Sequence, residues 1–130
     1  MTDKKILVSD DEIHILHVIS IKLRNNGYNV ITAENGSMAY DLACEELPDI
    51  IVTDYQMPIM SGLEFVEKLR QNQATAGIPV IMLTARSFAI EDEIKQRLKI
   101  SACLSKPFSP KELLMHVEDV LYQNAVTQKS

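Results

Sequence analysis

The chain has 130 residues, room for one domain with a single buried core and little more. At 46% hydrophobic and 24% charged residues its composition is that of an ordinary globular protein, which excludes fibrous and disordered classes. The 13 basic residues against 18 acidic give a net charge of -5, and this disfavours nucleic-acid binding by the chain alone, since displacing counterions needs a basic face.

Short apolar runs alternate with amphipathic stretches along the whole chain. Ile6-Leu7-Val8 reads as a first strand, and Glu12 to Asn26 as a helix ended by Gly27, where glycine is favoured after a helix. Tyr28 to Thr32 is β-prone, and Ser37 to Leu47 follows as a helix stopped by Pro48. Ile50-Ile51-Val52 is an unalternated β-branched run, as a strand buried on both faces requires. Ser61 to Gln71 is helical, with Leu63, Val66 and Leu69 on one face. Pro79 to Leu83 gives a fourth strand, Ala89 to Lys99 a fourth helix, Ala102 to Leu104 a short fifth strand, and Pro110 to Tyr122 a closing helix.

A repeated β-then-α order of this kind predicts a parallel sheet with helices on both faces. Right-handed crossovers leave few topologies, and ligands in such doubly wound sheets sit beyond the carboxyl ends of the strands. The chain carries no internal repeat and no Gly/Ser/Pro-rich linker, so one domain is expected over residues 1–123 with a short polar tail over 124–130. No apolar stretch is long enough to span a bilayer, and Asp3-Lys4-Lys5 leads into only a brief apolar run rather than a signal segment, so a cytoplasmic location is expected. Cys44 and Cys103 have no CxxC partner and no paired histidines, which reads as two packed thiols rather than a disulfide or zinc site.

The residues just after the strands are chemically distinctive. Ser9-Asp10-Asp11-Glu12 follows the first strand, Thr53-Asp54-Tyr55-Gln56-Met57-Pro58 the third, Thr84-Ala85-Arg86 the fourth and Ser105-Lys106-Pro107-Phe108 the fifth. Asp10, Asp11 and Asp54 held together repel one another and raise one another's pKa. A divalent cation relieves that repulsion, and an all-oxygen set suits Mg²⁺, with a backbone carbonyl after Asp54 as a further ligand. Lys106 adds a compact positive charge and Thr84 a hydroxyl donor. A carboxylate nucleophile, a metal and an ammonium are the parts that phosphoryl transfer needs. Taken singly, each has a plainer reading: an Asp pair before a helix is often an N-cap, a strand-end threonine usually a cap, a lone lysine usually a solvated charge. Their joint placement at strand ends is what points to chemistry.

The stretches ILVSDDE, DIIVTDYQMPIMSG, PVIMLTA and LSKPF resemble the motifs of the response-regulator receiver family, and the resemblance runs from Lys4 to about Tyr122. It implies a (βα)5 flavodoxin-like, CheY-like fold with strand order 2-1-3-4-5. It implies that Asp54 accepts a phosphoryl group from a phosphohistidine on a histidine kinase or histidine phosphotransfer protein. Asp11, Asp54 and the backbone carbonyl of Gln56 would bind Mg²⁺ (or Mn²⁺ in its place), with Asp10 acting through a metal-bound water. Thr84 would hydrogen-bond the phosphoryl group, Lys106 would pair with its oxygens, and the Lys106-Pro107 bond would be cis. Met57-Pro58 and Gly62 match the turn after the acceptor. Gln56 and Arg86 occupy positions that tune dephosphorylation. The implied output is a partner protein or a further domain, with the chain a monomer or weak homodimer.

Two positions depart from the family pattern. Cys103 stands where an aromatic residue usually precedes the lysine, so coupling by an aromatic rotamer is in doubt; and Lys99-Ile100-Ser101 lacks the usual glycine turn, which predicts a less regular helix end. His14, His17 and His116 read as solvated helix residues, and Met57, Met60, Met82 and Met115 as packing residues. On the first helix a stripe of Ile15, Ile19 and Leu23 can face the sheet, leaving an apolar excess suited to docking a partner. Three other functions compete with the switch. An aspartyl-phosphate phosphatase needs a second aspartate where Gln56 stands. A nucleotide or flavin binder needs a glycine-rich motif after the first strand. A pseudo-receiver fits poorly with the full set of Asp10, Asp11, Asp54, Thr84 and Lys106.

Overall fold

The computed structural model describes residues 3–85 and 90–129, with side chains through 126. Strands and helices alternate: β1 Lys5–Ser9, α1 Ile13–Asn25, β2 Asn29–Ala33, α2 Gly36–Glu46, β3 Ile50–Asp54, α3 Gly62–Gln71, β4 Val80–Thr84, α4 Asp92–Leu98, β5 Ile100–Ser105 and α5 Pro110–Lys129. All strand pairs are parallel, in the order β2-β1-β3-β4-β5. This is the doubly wound architecture that the alternating pattern predicts, with its reversal point between β1 and β3.

The continuous apolar runs are explained by two cores, one on each face of the sheet. Side chains alternate across a strand, so Ile6, Val8, Ile50, Val52, Ile81 and Leu83 face one side and pack with Leu16, Ile19 and Leu23 of α1 and Leu113, Val117 and Val120 of α5. Leu7, Ile51, Val80 and Met82 face the other side, against Ala39 and Ala43 of α2, Phe65, Val66 and Leu69 of α3, and Leu98 of α4. Both faces of the inner strands are thus dry, and β3 and β4 are buried along their full lengths.

Local chemistry sets the helix ends. Ser61 caps α3 in a reciprocal capping box with Glu64, each side chain bonding the other's backbone N–H. Asn35 accepts the N–H of Met38 at the start of α2. Several expectations are corrected. The fourth helix begins only at Asp92, while Ile90 is buried outside it. Its end is regular rather than frayed: Lys99 takes the left-handed conformation (φ 55, ψ 46) that glycine usually supplies, and its N–H bonds back to the carbonyls of Gln96 and Lys95. The guanidinium of Arg70 then covers the Leu98 and Lys99 carbonyls at 2.7 and 3.2 Å. The last helix continues beyond Tyr122 to Lys129, because the polar residues there include no glycine or proline to stop it. On α1 the inward stripe is Leu16, Ile19 and Leu23; Ile15 is only half-buried, and Ile13, Val18 and Ile21 are exposed. Met115, expected in packing, is exposed at 56%, whereas Met82 is fully buried. Both cysteines are free thiols, and among the described residues no helix is long and apolar enough to cross a membrane.

Candidate functional site

Strand alternation fixes which side chains meet at the carboxyl edge of the sheet. Asp54 ends β3 with the same parity as Ile50 and Val52, Asp10 follows Ile6 and Val8, and Lys106 follows Leu104, so all three lie on the α1/α5 side. The Lys106 ammonium reaches Asp10 Oδ2 at 2.9 Å and Asp54 Oδ1 at 3.3 Å. A third carboxylate joins them, with Glu12 Oε1 at 3.3 Å from the same nitrogen. Asp10 is fully buried, and its second oxygen accepts the backbone N–H of Glu12 at 2.9 Å. Asp11 is exposed at the rim. One carboxylate oxygen from each of Asp10, Asp11 and Asp54 lies within 4.8 Å of the other two.

These charges act on one another. Asp54 has its pKa pushed up to about 6, first by burial and then by the Asp10 charge, with Asp11 adding to the rise and Lys106 opposing it. Burial pulls the Lys106 pKa down, but its bond to Asp10 and the charges of Asp10 and Asp54 outweigh that and leave it above the usual lysine value. The resting site therefore holds more carboxylate than its one ammonium neutralises. Such a set of hard oxygen donors fits a small divalent cation, with Asp11 and Asp54 as the available carboxylates and Asp10 already committed to Lys106 and a backbone N–H.

A cavity of about 370 Å³ opens over Asp54, lined by Asp11, Glu12, Tyr55, Gln56, Ala85 and Lys106. Its floor is held from several directions. The N–H of Lys106 bonds the Thr84 carbonyl at 2.7 Å, which ties the ends of β4 and β5 together. Thr84 itself is buried at the end of β4, on the sheet face opposite Asp54. Its parity follows Met82, which belongs to the α2/α3/α4 core. The Lys106-Pro107 peptide is cis. The loop after Asp54 is clamped between two glycines: a Cβ on Gly36 would strike the Met60 carbonyl, and one on Gly62 the Asp54 carbonyl. Gln56 is exposed at the cavity mouth. Cys103 sits in register with Met82, half-buried against the α2/α3/α4 core, and burial pushes its thiol pKa up. Arg86 lies outside the described residues.

Two contributions escape a reading of the motifs. Glu12 reaches Lys106, a contact signalled only by its place directly after the Asp pair. Ser9 and Thr53, paired across β1 and β3, form a buried hydroxyl pair at 2.6 Å, and the Thr53 hydroxyl continues to the Asp54 carbonyl at 3.1 Å. This chain pins the backbone of Asp54 from below. Beside the site, a largely apolar groove of about 510 Å³ runs between α1 and the loop before α5, lined by Ile15, Val18, Ile19, Pro107 and Phe108 and reaching Glu12 and Lys106.

Comparison with known proteins identifies the family and the fold. The family model described as the response regulator receiver domain matches residues 6–118. The chain is 38% identical over 123 residues to the phosphate regulon transcriptional regulatory protein PhoB of Pseudomonas aeruginosa, covering 93% of this chain and 53% of that protein. It is 36% identical over 128 residues to the alkaline phosphatase synthesis transcriptional regulatory protein PhoP of Bacillus subtilis, covering 98% of this chain and 52% of that one. The chain thus spans about half the length of these curated relatives. Among solved structures, the chemotaxis response regulator CheY4 of Vibrio cholerae superposes with a TM-score of 0.84 at 33% identity, over 92% of this chain and 99% of that one. The receiver domain of the Francisella response regulator 1452 superposes with a TM-score of 0.81 at 31% identity, over 95% and 99%.

Proposed function

The chain belongs to the response regulator receiver family of two-component signalling, and on that premise we propose that it is a phosphoacceptor switch with Asp54 as the acceptor and Mg²⁺ as its cofactor. Receiver domains are signalling switches rather than ordinary enzymes. The observation that carries the reading is the meeting of Asp54 and Lys106, with Asp11 close by, in one cavity backed by the buried Asp10.

The residues have distinct tasks. An Asp54 carboxylate oxygen attacks the phosphorus of a phosphohistidine; a P–O bond forms, the P–N bond breaks, and the imidazole leaves with the bonding pair and takes up a proton. Asp11, Asp54 and the Gln56 carbonyl would hold Mg²⁺, with Asp10 contributing through a water, and the ion would supply positive charge to the phosphoryl oxygens. Lys106 pairs with a phosphoryl oxygen, and Thr84, which rests on the opposite sheet face, reorients toward Asp54 to donate its hydroxyl to another. Gln56 and Arg86 tune hydrolysis, and the new contacts bias the domain toward its active form.

Donor and output partners follow from the same premise. The apolar groove beside α1 and its exposed Ile13, Val18 and Ile21 support docking of a histidine kinase or phosphotransfer protein next to Asp54. The named relatives are transcriptional regulators, so the exclusion of nucleic acid is kept for this acidic receiver unit alone. The cytoplasm, where such kinases present their phosphohistidine, is the location that suits this reading.

The test is intact mass after incubation with acetyl phosphate and Mg²⁺, alongside Asp54→Asn and a chelator control. A single phosphoryl adduct that vanishes in both controls is the expected outcome. No adduct, together with no stabilisation by Mg²⁺, would move the chain to a partner-binding pseudo-receiver.

A further inference from the structure

Glu12 stands where a helix usually takes a capping side chain, yet it does not cap α1: it accepts no backbone N–H of the first turn, and its Oε2 stands 3.9 Å from His14 Nε2. Its carboxylate turns instead to Lys106, 3.3 Å away. An ammonium has three N–H donors. Around Lys106 stand three carboxylates, Asp10 at 2.9 Å and Asp54 and Glu12 each at 3.3 Å. The ammonium's hydrogen bonds go to Asp10 and Glu12, with Asp54 paired to it as well, so a phosphoryl oxygen arriving on Asp54 competes with these carboxylates for its donors.

Burial decides which partner yields. Asp10 is wholly buried, so losing the ammonium would strand a charge away from water. Asp54 is the attacking group and has to stay beside the ammonium while the phosphoryl group is transferred. The Glu12 side chain is 48% exposed and can turn into solvent at little cost. Glu12 also lines both the cavity over Asp54 and the apolar groove beside it. Resting on the phosphoacceptor reading above, we propose that Glu12 is a positioning residue for phosphoryl transfer: a displaceable third partner that occupies Lys106 in the resting state and gives up its donor to the incoming phosphoryl group.

The experiment compares the unaltered chain with Glu12→Gln, Glu12→Asp and, as a distant charge control on the exposed face of α2, Asp41→Asn. Adduct formation is followed by intact mass at subsaturating acetyl phosphate with Mg²⁺. Separately, ¹⁵N-detected spectroscopy follows the exchange of the Lys106 ammonium protons with water in the resting protein. Glu12→Gln should accelerate adduct formation by about two- to fivefold, the range that loss of one exposed ion pair supports, and should speed the proton exchange. Glu12→Asp keeps the charge but not the reach, so it should behave like Glu12→Gln, and Asp41→Asn should match the unaltered chain. Glu12→Asp behaving like the unaltered chain, or Glu12→Gln behaving like Asp41→Asn, overturns the inference while leaving the phosphoacceptor reading intact. Absence of any adduct on the unaltered chain, together with no stabilisation by Mg²⁺, overturns that reading, and this inference with it.

Discussion

Gly62, the first residue of α3, lies directly against the main chain of Asp54, so that any Cβ there would collide with the Asp54 carbonyl. The Gly62 N–H bonds the Tyr55 carbonyl at 2.8 Å, which leaves the helix no freedom to back away. Gly62→Ala should therefore cost about 2 kcal/mol, as forced overpacking against rigid backbone does. Chemical denaturation would measure the loss. The same variant should take the phosphoryl group more slowly than the unaltered chain, because the backbone that has to shift carries Asp54.

Removing the acceptor charge should stabilise the metal-free protein. The Asp54 pKa is raised from 3.8 to about 6 in the folded chain, so between these values the native state binds more protons than the unfolded state. Stability from this group is then greatest below the unfolded pKa and falls as pH rises through about 6. In the presence of a chelator, Asp54→Asn should be more stable than the unaltered chain at pH 7 by about 2 kcal/mol and lose that advantage near pH 4. Urea midpoints across this range decide it; an advantage that stays constant with pH would mean that the charge cluster is not its source.

Divalent metal should reverse the order. Binding to the native state alone stabilises by RT ln(1 + [L]/Kd), so saturating Mg²⁺ should raise the melting temperature of the unaltered chain and raise that of Asp11→Asn and Asp54→Asn far less. The prediction depends on the carboxylates of Asp10, Asp11 and Asp54 standing within one ion's reach. Equal shifts in all three proteins would place the metal elsewhere.

Much of this arrangement is legible in the sequence, for a physical reason. Unalternated runs such as Ile50-Ile51-Val52 belong to strands buried on both faces, and their carboxyl ends gather whatever follows them, which brought Asp10, Asp11, Asp54 and Lys106 to one edge. What stayed hidden depends on contacts between residues distant in the chain. Glu12 meets Lys106 across a separation of 94 residues, and only its place directly after the Asp pair hints at it. Lys99 holds a left-handed turn without glycine because Arg70, on another helix, takes up the carboxyl end of α4. The choice of Leu16 over Ile15 as the inward residue of α1 turns on a rotation of a single position, which an almost continuously apolar helix does not specify.

Arg70 supports the strongest stability prediction. Its guanidinium donates to four carbonyls: Leu98 at 2.7 Å, Ala76 at 3.0 Å, Ile78 at 2.8 Å and Lys99 at 3.2 Å. Burial lowers its pKa, yet an arginine stays charged, so each bond is charge-assisted and satisfies an acceptor at the carboxyl end of α4 or in the turn between α3 and β4. Arg70→Met keeps the apolar stem but strands those carbonyls, and should cost about 3 kcal/mol. Arg70→Lys, with a single nitrogen centre, cannot reproduce the fork and should recover less than half of that loss. Hydrogen exchange adds a spatial check: protection in Arg70→Met should fall first at Lys99, whose N–H closes the end of α4, and at Ile78, whose N–H bonds the Thr75 carbonyl in the turn before β4. A loss spread evenly over the sheet would instead mean that Arg70 contributes only to global stability.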